Sequence, residues 1–97
     1  MVKITLVNGG DVATLLLEGR IDAGSAQEMQ DKLQEVTKRF DRFILDLKKV
    51  PYISSAGLRS LRSLYITLSQ KGGRMRAINV PKPIMDIFEV TGFAFFL

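Results

Sequence analysis

The chain has 97 residues and a formal net charge of +4, and it contains no cysteine and no histidine. This length predicts one domain, residues 1–97, that buries roughly 60 to 65% of the surface of its unfolded chain. Without cysteine and histidine the chain has no disulfides and no thiolate metal sites, and it lacks the usual general base of hydrolytic enzymes.

Two strands joined by a tight turn are predicted at the start of the chain. Residues 2–7 and 12–18 have strand-like composition and flank Asn8-Gly9-Gly10-Asp11. The two glycines of this turn tolerate the positive φ angles that a tight hairpin requires. We therefore predict that the two strands pair in an antiparallel manner.

A first helix follows Gly19-Arg20-Ile21-Asp22. Its start is marked either by Asp22 or by Ser25 with Glu28 three residues later, which would form a capping box. The pattern does not decide between these two starts. The apolar residues that recur at helical spacing are Ala26, Met29, Leu33, Val36 and Phe40.

A buried strand and a second helix come next. Residues 42–47 form a short apolar run, and residues 57–70 have apolar side chains at helical spacing before Gly72-Gly73 end the helix. Ser54 and Ser55 stand at the start of this helix, where unpaired backbone N–H groups favour a serine oxygen or a phosphate. The inward-facing residues are Leu58, Leu61, Leu64, Tyr65 and Leu68.

The rest of the chain predicts a strand, a short helix and a final strand. Residues 74–80 alternate partly, Pro81 and Pro83 introduce a helix that stops at Gly92, and residues 93–97 are strongly apolar. Strands separated by helices pair in parallel through right-handed crossovers. The fold class is therefore α/β, with a mixed sheet of about five strands, of which the first is antiparallel, and three helices.

Three segments match a known pattern in combination. They are Gly19-Arg20-Ile21-Asp22, Leu45-Asp46-Leu47 and Tyr52-Ile53-Ser54-Ser55-Ala56-Gly57-Leu58. Together they resemble the STAS domain of anti-sigma factor antagonists. The likeness spans almost the whole chain and implies the STAS-like (βα) superhelix, with the family's final helix absent.

The resemblance implies a bacterial partner-switching circuit that regulates transcription. In such a circuit the anti-sigma factor is an ATP-dependent serine kinase that phosphorylates the antagonist, and a phosphatase reverses the modification. The unphosphorylated antagonist binds the kinase and frees the sigma factor. This chain would then be a binding module and not an enzyme, with no cofactor, no metal and no direct nucleic-acid contact.

The family pattern, carried over position by position, makes Ser55 the phosphoacceptor. Ser54 stands where many members have an acidic residue, a departure that could alter kinase recognition. Asp22 and Asp46 match acidic positions at the strand ends beside the acceptor, and we expect them to line the crevice at the carboxyl ends of the strands. The predicted partner-binding residues are Asp22, Asp46, Ser54, Ala56, Gly57, Leu58, Arg59 and Arg62.

Structural roles are open for the same residues. Ser54 and Ser55 could be helix caps, and Asp22 and Asp46 could cap local backbone. Gly57 would avoid crowding in the turn, and the same clearance would let a kinase approach. Two carboxylates alone are too few for a hard cation, which takes about six oxygen ligands.

The second half of the chain is the basic half. Residues 48–97 have eight basic and two acidic side chains, whereas residues 1–47 have six and eight. These cations are spread over several predicted elements without interleaved exposed aromatic residues, which favours solvated surface or an acidic protein partner over nucleic acid. Arg59 and Arg62 would either keep their helix soluble or face a partner or a phosphate.

Two other functions use the same residues differently. A non-switching STAS subunit of a stressosome-like or lipid-transport ABC assembly would use Ser55 mainly as a cap. A serine hydrolase would need a general base, but this chain has no histidine and no Gly-x-Ser-x-Gly turn, so only a serine–lysine pair with Lys48 or Lys49 would remain. The N-terminus has no basic leader before a long apolar run, so we expect a cytoplasmic protein without a membrane partner. We expect Phe93, Phe95 and Phe96 near the end of the chain to pack in the core, or else to form a weak homodimer contact or a contact with a partner.

Overall fold

The computed structural model describes residues 2–92, apart from the side chain of Asn8. Over this range the helices and strands follow the predicted order, and the predicted final strand at 93–97 lies outside the described residues. No helix within residues 2–92 is long and apolar enough to cross a membrane. The elements are β1 (Lys3–Gly9), β2 (Val12–Glu18), α1 (Ala23–Thr37), β3 (Arg42–Lys49), α2 (Ser55–Gln70), β4 (Arg74–Ile78) and α3 (Lys82–Thr91).

The described strands form one sheet in the order β1-β2-β3-β4. β1 and β2 are antiparallel, and they are joined by a turn in which Gly10 has a φ of +83°, a conformation that costs glycine little. β2 and β3 are parallel, as are β3 and β4. The α/β class, the three helices and the mixed sheet with an antiparallel first strand are therefore confirmed.

The core lies on one face of this sheet. Ala13, Leu15 and Leu17 of β2 are buried, and they alternate with residues that are half-buried or exposed. Right-handed crossovers between strands that are neighbours in the sheet place their connecting helices on the same side. The helices accordingly contribute Leu33, Leu64 and Phe88, among others, to a single hydrophobic cluster.

A buried polar contact fixes α2 against α1. The hydroxyl of Ser60 lies 3.3 Å from the carbonyl oxygen of Ala26 and 3.1 Å from Oε1 of Gln30, both on α1. Ser60 is buried, so the loss of these bonds would leave an unpaired polar group in the helix interface. This contact sets the relative position of the two helices whose first turns form the candidate site.

Candidate partner-binding site

The loops that lead into α1 and α2 are joined by backbone hydrogen bonds. The N–H of Ile21 donates to the carbonyl oxygen of Tyr52 at 2.9 Å, and the N–H of Ser54 donates to that of Ile21 at 2.8 Å. Ile21 and Ile53 form an isolated parallel bridge. The N-termini of the two helices are therefore held side by side at the carboxyl edge of the sheet.

The two serines differ in their environments. Ser54 is the N-cap of α2, and its half-buried hydroxyl accepts a hydrogen bond of 3.1 Å from the N–H of Gly57. Ser55 is the first helical residue and is exposed, and its hydroxyl has no hydrogen-bond partner among residues 2–92. α2 thus starts at Ser55, two residues earlier than the apolar spacing suggested, because the Ser54 cap defines the start.

Gly57 lies where the two loops and the helix meet. A Cβ atom at this position would be 2.6 Å from Cγ2 of Ile21 and 2.8 Å from Cγ1 of Ile53. Both isoleucines are buried and belong to the paired loops. The crowding that the sequence suggested is therefore confirmed, and glycine allows α2 to approach the loop pair closely.

Asp22 caps the other helix. Its Oδ1 accepts from the N–H of Ser25 at 2.9 Å, and the N–H of Asp22 donates to the Ser25 hydroxyl at 3.0 Å. The capping box thus forms between Asp22 and Ser25, while Glu28 is exposed and pairs with Lys32 at 3.6 Å. The Ser25 hydroxyl also lies 3.1 Å from Oδ1 of Asp22. The hydrogen bonds that this carboxylate accepts, first from the Ser25 backbone N–H and then from the Ser25 hydroxyl, lower the pKa of Asp22.

This cap predicts a pH-dependent contribution to stability. The pKa of Asp22 in the folded protein lies below its usual value of 3.8, so its contribution should be complete above the unfolded value and vanish as the pH falls through the folded value. Asp22→Asn keeps a capping side chain without the charge. The difference in unfolding free energy between wild type and this variant, measured by urea denaturation, should shrink between about pH 5 and about pH 2. A constant difference would contradict the assignment.

Asp46 has separate partners. Its Oδ1 accepts from the N–H of Lys48 at 3.0 Å, and its Oδ2 accepts from Nδ2 of Asn79 at 3.2 Å. Asn79 has a φ of +54°, a left-handed conformation that asparagine tolerates better than most residues. Asp46 therefore ties β3 to the loop that follows β4, a contact that no local motif indicates.

The other predicted binding residues lie along the start of α2. Arg59 and Arg62 are exposed and follow Ser55 by four and seven positions, so the three share one face of the helix. Leu58 is partly buried and packs against the core, and Ala56 is half-buried. The helix thus brings a hydroxyl and two guanidinium groups onto one exposed stripe.

A further pair lies on the two joined loops. The guanidinium carbon of Arg20 is 4.4 Å from the centre of the Tyr52 ring, and both side chains are exposed. Such a cation–π contact contributes roughly 0.5 to 1 kcal/mol at an exposed site. Both residues belong to segments that resemble the STAS pattern, but only the pairing of the two loops brings the two side chains together. We call Ser55, Arg59 and Arg62, with this pair, the Ser55 surface.

The sequence matches one family model almost from end to end. The STAS domain model covers residues 3–97. The chain is also 29% identical over 93 residues to BtrV of Bordetella bronchiseptica, a protein assigned as an anti-sigma factor antagonist. That match spans 95% of this chain and 80% of the relative.

Solved structures share the same fold. An anti-sigma factor antagonist from Mycobacterium paratuberculosis aligns with a TM-score of 0.81 at 21% identity, over 96% of this chain and 80% of that one. The phosphorylated form of the Bacillus cell fate determinant SpoIIAA aligns with a TM-score of 0.73 at 15% identity, over 97% and 87%. At these identities the likeness establishes the fold.

Proposed function

Because the chain belongs to the STAS domain family, we propose that it is an anti-sigma factor antagonist whose binding is switched by phosphorylation of Ser55. In this proposal the unphosphorylated chain binds an anti-sigma factor that is also an ATP-dependent serine kinase. Phosphorylation ends the complex, and a phosphatase restores it. One observation carries the proposal: Ser55 is exposed, and its hydroxyl has no hydrogen-bond partner within residues 2–92.

An exposed hydroxyl can reach the active site of another protein. In the reaction the Ser55 oxygen forms a bond to the γ-phosphorus of ATP, the bond to the bridging oxygen breaks, and ADP leaves. The hydroxyl proton passes to a base of the kinase. This chain contributes only the acceptor, which agrees with its lack of histidine.

Ser54 is a poorer acceptor than Ser55. Its hydroxyl is half-buried and accepts the hydrogen bond from the N–H of Gly57. Modification of Ser54 would disturb a helix cap, which is typically worth about 1 kcal/mol. Modification of Ser55 leaves that cap in place, so the domain would stay folded in both states of the switch.

The added charge would change the docking surface more than the fold. A phosphate adds about −1.5 to −2 charges at pH 7, and the N-terminus of α2 partly compensates it within the domain. Arg59 lies one turn further along the same face and offers a second compensating charge. A partner surface that is acidic or tightly packed against Ser55 would be repelled.

The distribution of exposed side chains favours docking at the Ser55 surface. Arg20, Arg59 and Arg62 give this surface a positive character, and Tyr52 with 38% exposure supplies an aromatic ring. Arginine and tyrosine are enriched where protein interfaces gain most of their energy. An acidic surface on the anti-sigma factor fits these residues.

The proposal is tested by mapping the phosphate. We expect incubation with ATP and the anti-sigma kinase of the same organism to add a single phosphate, located on Ser55 by tandem mass spectrometry. Ser54→Ala, the matched control, should still be modified, whereas Ser55→Ala should not. Modification of Ser54 in place of Ser55 would refute the assignment of the acceptor, and a kinase that binds the chain but modifies no residue would refute the switch and favour a fixed binding subunit.

A further inference from the structure

The face of the sheet opposite the helices is uncovered in the described part of the protein. Side chains on this side alternate with the buried ones, and they include Val7 with 48% and Leu16 with 38% exposure. Ile44 of β3 lies beside Thr14 of β2 on the same side and is only half-buried. We call this side of β1 to β4 the open face.

Three arginines meet at one end of the open face. Arg42 of β3 stands directly beside Arg74 of β4, and Arg76 stands beside Ile44 one position further along the same side. All three are exposed, and within residues 2–92 none of their guanidinium groups has an ion-pair or hydrogen-bond partner. Like charges on neighbouring strands repel each other, so this arrangement is unfavourable for the isolated domain.

Nearby carboxylates do not neutralise this arginine cluster. Asp46, on the open face, is held by the N–H of Lys48 and by Asn79. Asp11 and Asp41 line an adjacent hollow together with Arg42, but neither forms an ion pair with it, and Asp41 pairs with Lys71 at 3.4 Å. An acidic ligand would therefore find unpaired guanidinium groups ready to bind it.

We propose that the open face docks an acidic amphipathic helix of a partner protein. Its carboxylates would bind Arg42, Arg74 and Arg76, and its apolar side chains would cover Leu16 and Ile44. Guanidinium groups form bidentate hydrogen bonds with carboxylates, which suits a cluster of arginines. The hollow between the arginines is also lined by Val12 and Ile44, so charge and apolar contact are offered together.

The dimensions and composition of the face favour a helix over nucleic acid. Four strands about 4.8 Å apart span roughly 15 Å, which accommodates one helix of about 10 to 12 Å diameter. Single-stranded nucleic acid binds through bases stacked on aromatic rings, and no aromatic side chain of β1 to β4 within residues 2–92 is exposed on this face. The apolar side chains of Val7 and Leu16 would gain little packing energy from contact with a charged phosphate backbone.

This surface is separate from the Ser55 surface. Arg42 is the first residue of β3, whereas the loop to Ser55 leaves the other end of the strand, roughly 23 Å away at the rise of an extended chain. One partner could thus occupy the open face while the anti-sigma factor binds the Ser55 surface. The inference stands independently of the proposed switch.

The test uses a defined probe and the full chain. A synthetic amphipathic peptide, with glutamate along one helical face and leucine along the other, is titrated into the ¹⁵N-labelled protein. We expect shifts of backbone amides in β2, β3 and β4, and weaker binding as the salt concentration rises. Replacement of Arg42, Arg74 and Arg76 by glutamate should lower the affinity at least tenfold, that is by about 1.4 kcal/mol.

Controls separate charge, folding and site. Glutamate in place of Lys32, Lys38 and Lys82 changes the net charge equally but should leave the affinity within about twofold, because Lys32 lies on α1, Lys38 is the C-cap of α1 and Lys82 lies on α3. Glutamine in place of the three arginines removes their mutual repulsion, so this variant is expected to fold and still to bind the peptide more weakly than the wild type does. Ser55→Asp should leave peptide binding unchanged, which distinguishes this site from the switch. The proposal would be overturned by amide shifts confined to α2 or by equal losses of affinity in the arginine-to-glutamate and lysine-to-glutamate variants. It would also be overturned if a single-stranded oligonucleotide bound more tightly than the peptide.

Discussion

Ser55→Asp is expected to weaken binding to the anti-sigma factor by about 100-fold or more, whereas Ser55→Ala should bind as the unmodified chain does. The side chain at this position is exposed on a helix face that it shares with Arg59 and Arg62. A fixed negative charge there would repel an acidic partner and would compete for the guanidinium groups that the partner needs. Isothermal titration calorimetry with the purified anti-sigma factor measures the effect.

Ser55→Asn is the matched control for this prediction. Asparagine has nearly the size of aspartate but no charge, so it should lose much less affinity if charge is the cause. An equal loss for asparagine and aspartate would assign the effect to bulk in a tightly packed interface. Equal affinity of the alanine and aspartate variants would remove the switch altogether.

The same variants should leave the domain folded. A negative charge in the first turn of a helix typically stabilises it by about 0.3 to 1 kcal/mol. Ser54 keeps its hydrogen bond to the N–H of Gly57 in all three variants, because a substitution at Ser55 does not involve the cap. Thermal unfolding should therefore show an unchanged or slightly higher midpoint for Ser55→Asp, and a lower one would attribute lost binding to lost structure.

The sequence predicted the elements of this fold because its local signals agree with one another. Turn glycines at Gly9-Gly10 and Gly72-Gly73 separate segments whose apolar periodicity changes between strand and helix. The order of the described elements then leaves few ways to pair the strands, since crossovers are right-handed. Parallel pairing of β2, β3 and β4 follows from this restriction.

Local motifs were less informative where two signals overlap. Asp22 and Ser25 are both typical N-cap residues, and Glu28 lies three positions after Ser25, a spacing that also allowed a capping box between those two residues. Burial decides in favour of Asp22, because Ser25 lies inside and its hydroxyl also donates to the carbonyl oxygen of Arg20 at 3.1 Å. Such packing cannot be read from spacing along the chain.

Contacts between distant segments were beyond sequence reasoning. Arg42 is distant in the sequence from Arg74 and Arg76, and only the register between β3 and β4 makes them neighbours. The contact between Arg20 and Tyr52 depends in the same way on the pairing of two loops. A shift of one residue in register would turn each strand side chain to the other face.

Gly57→Val is expected to destabilise the domain by about 3 kcal/mol, because the new side chain must displace Ile21 or Ile53. The Cβ atom alone would lie 2.6 Å and 2.8 Å from their side-chain carbons, closer than packed atoms approach. Urea denaturation with unchanged m-values would measure the loss.

Gly24→Val is the matched control, since Gly24 also lies in the first turn of a helix but is exposed. Its Cβ atom would meet only Oδ1 of Asp22, at an ordinary 3.5 Å. The two variants share the helix preference of valine, so the difference between their unfolding free energies isolates the clash at Gly57. Equal losses would show that the close approach at Gly57 is not needed. If the clash is real, adding Ile53→Ala to Gly57→Val should restore part of the lost unfolding free energy. The displaced loops should also weaken binding at the Ser55 surface, even where the Gly57→Val variant remains folded.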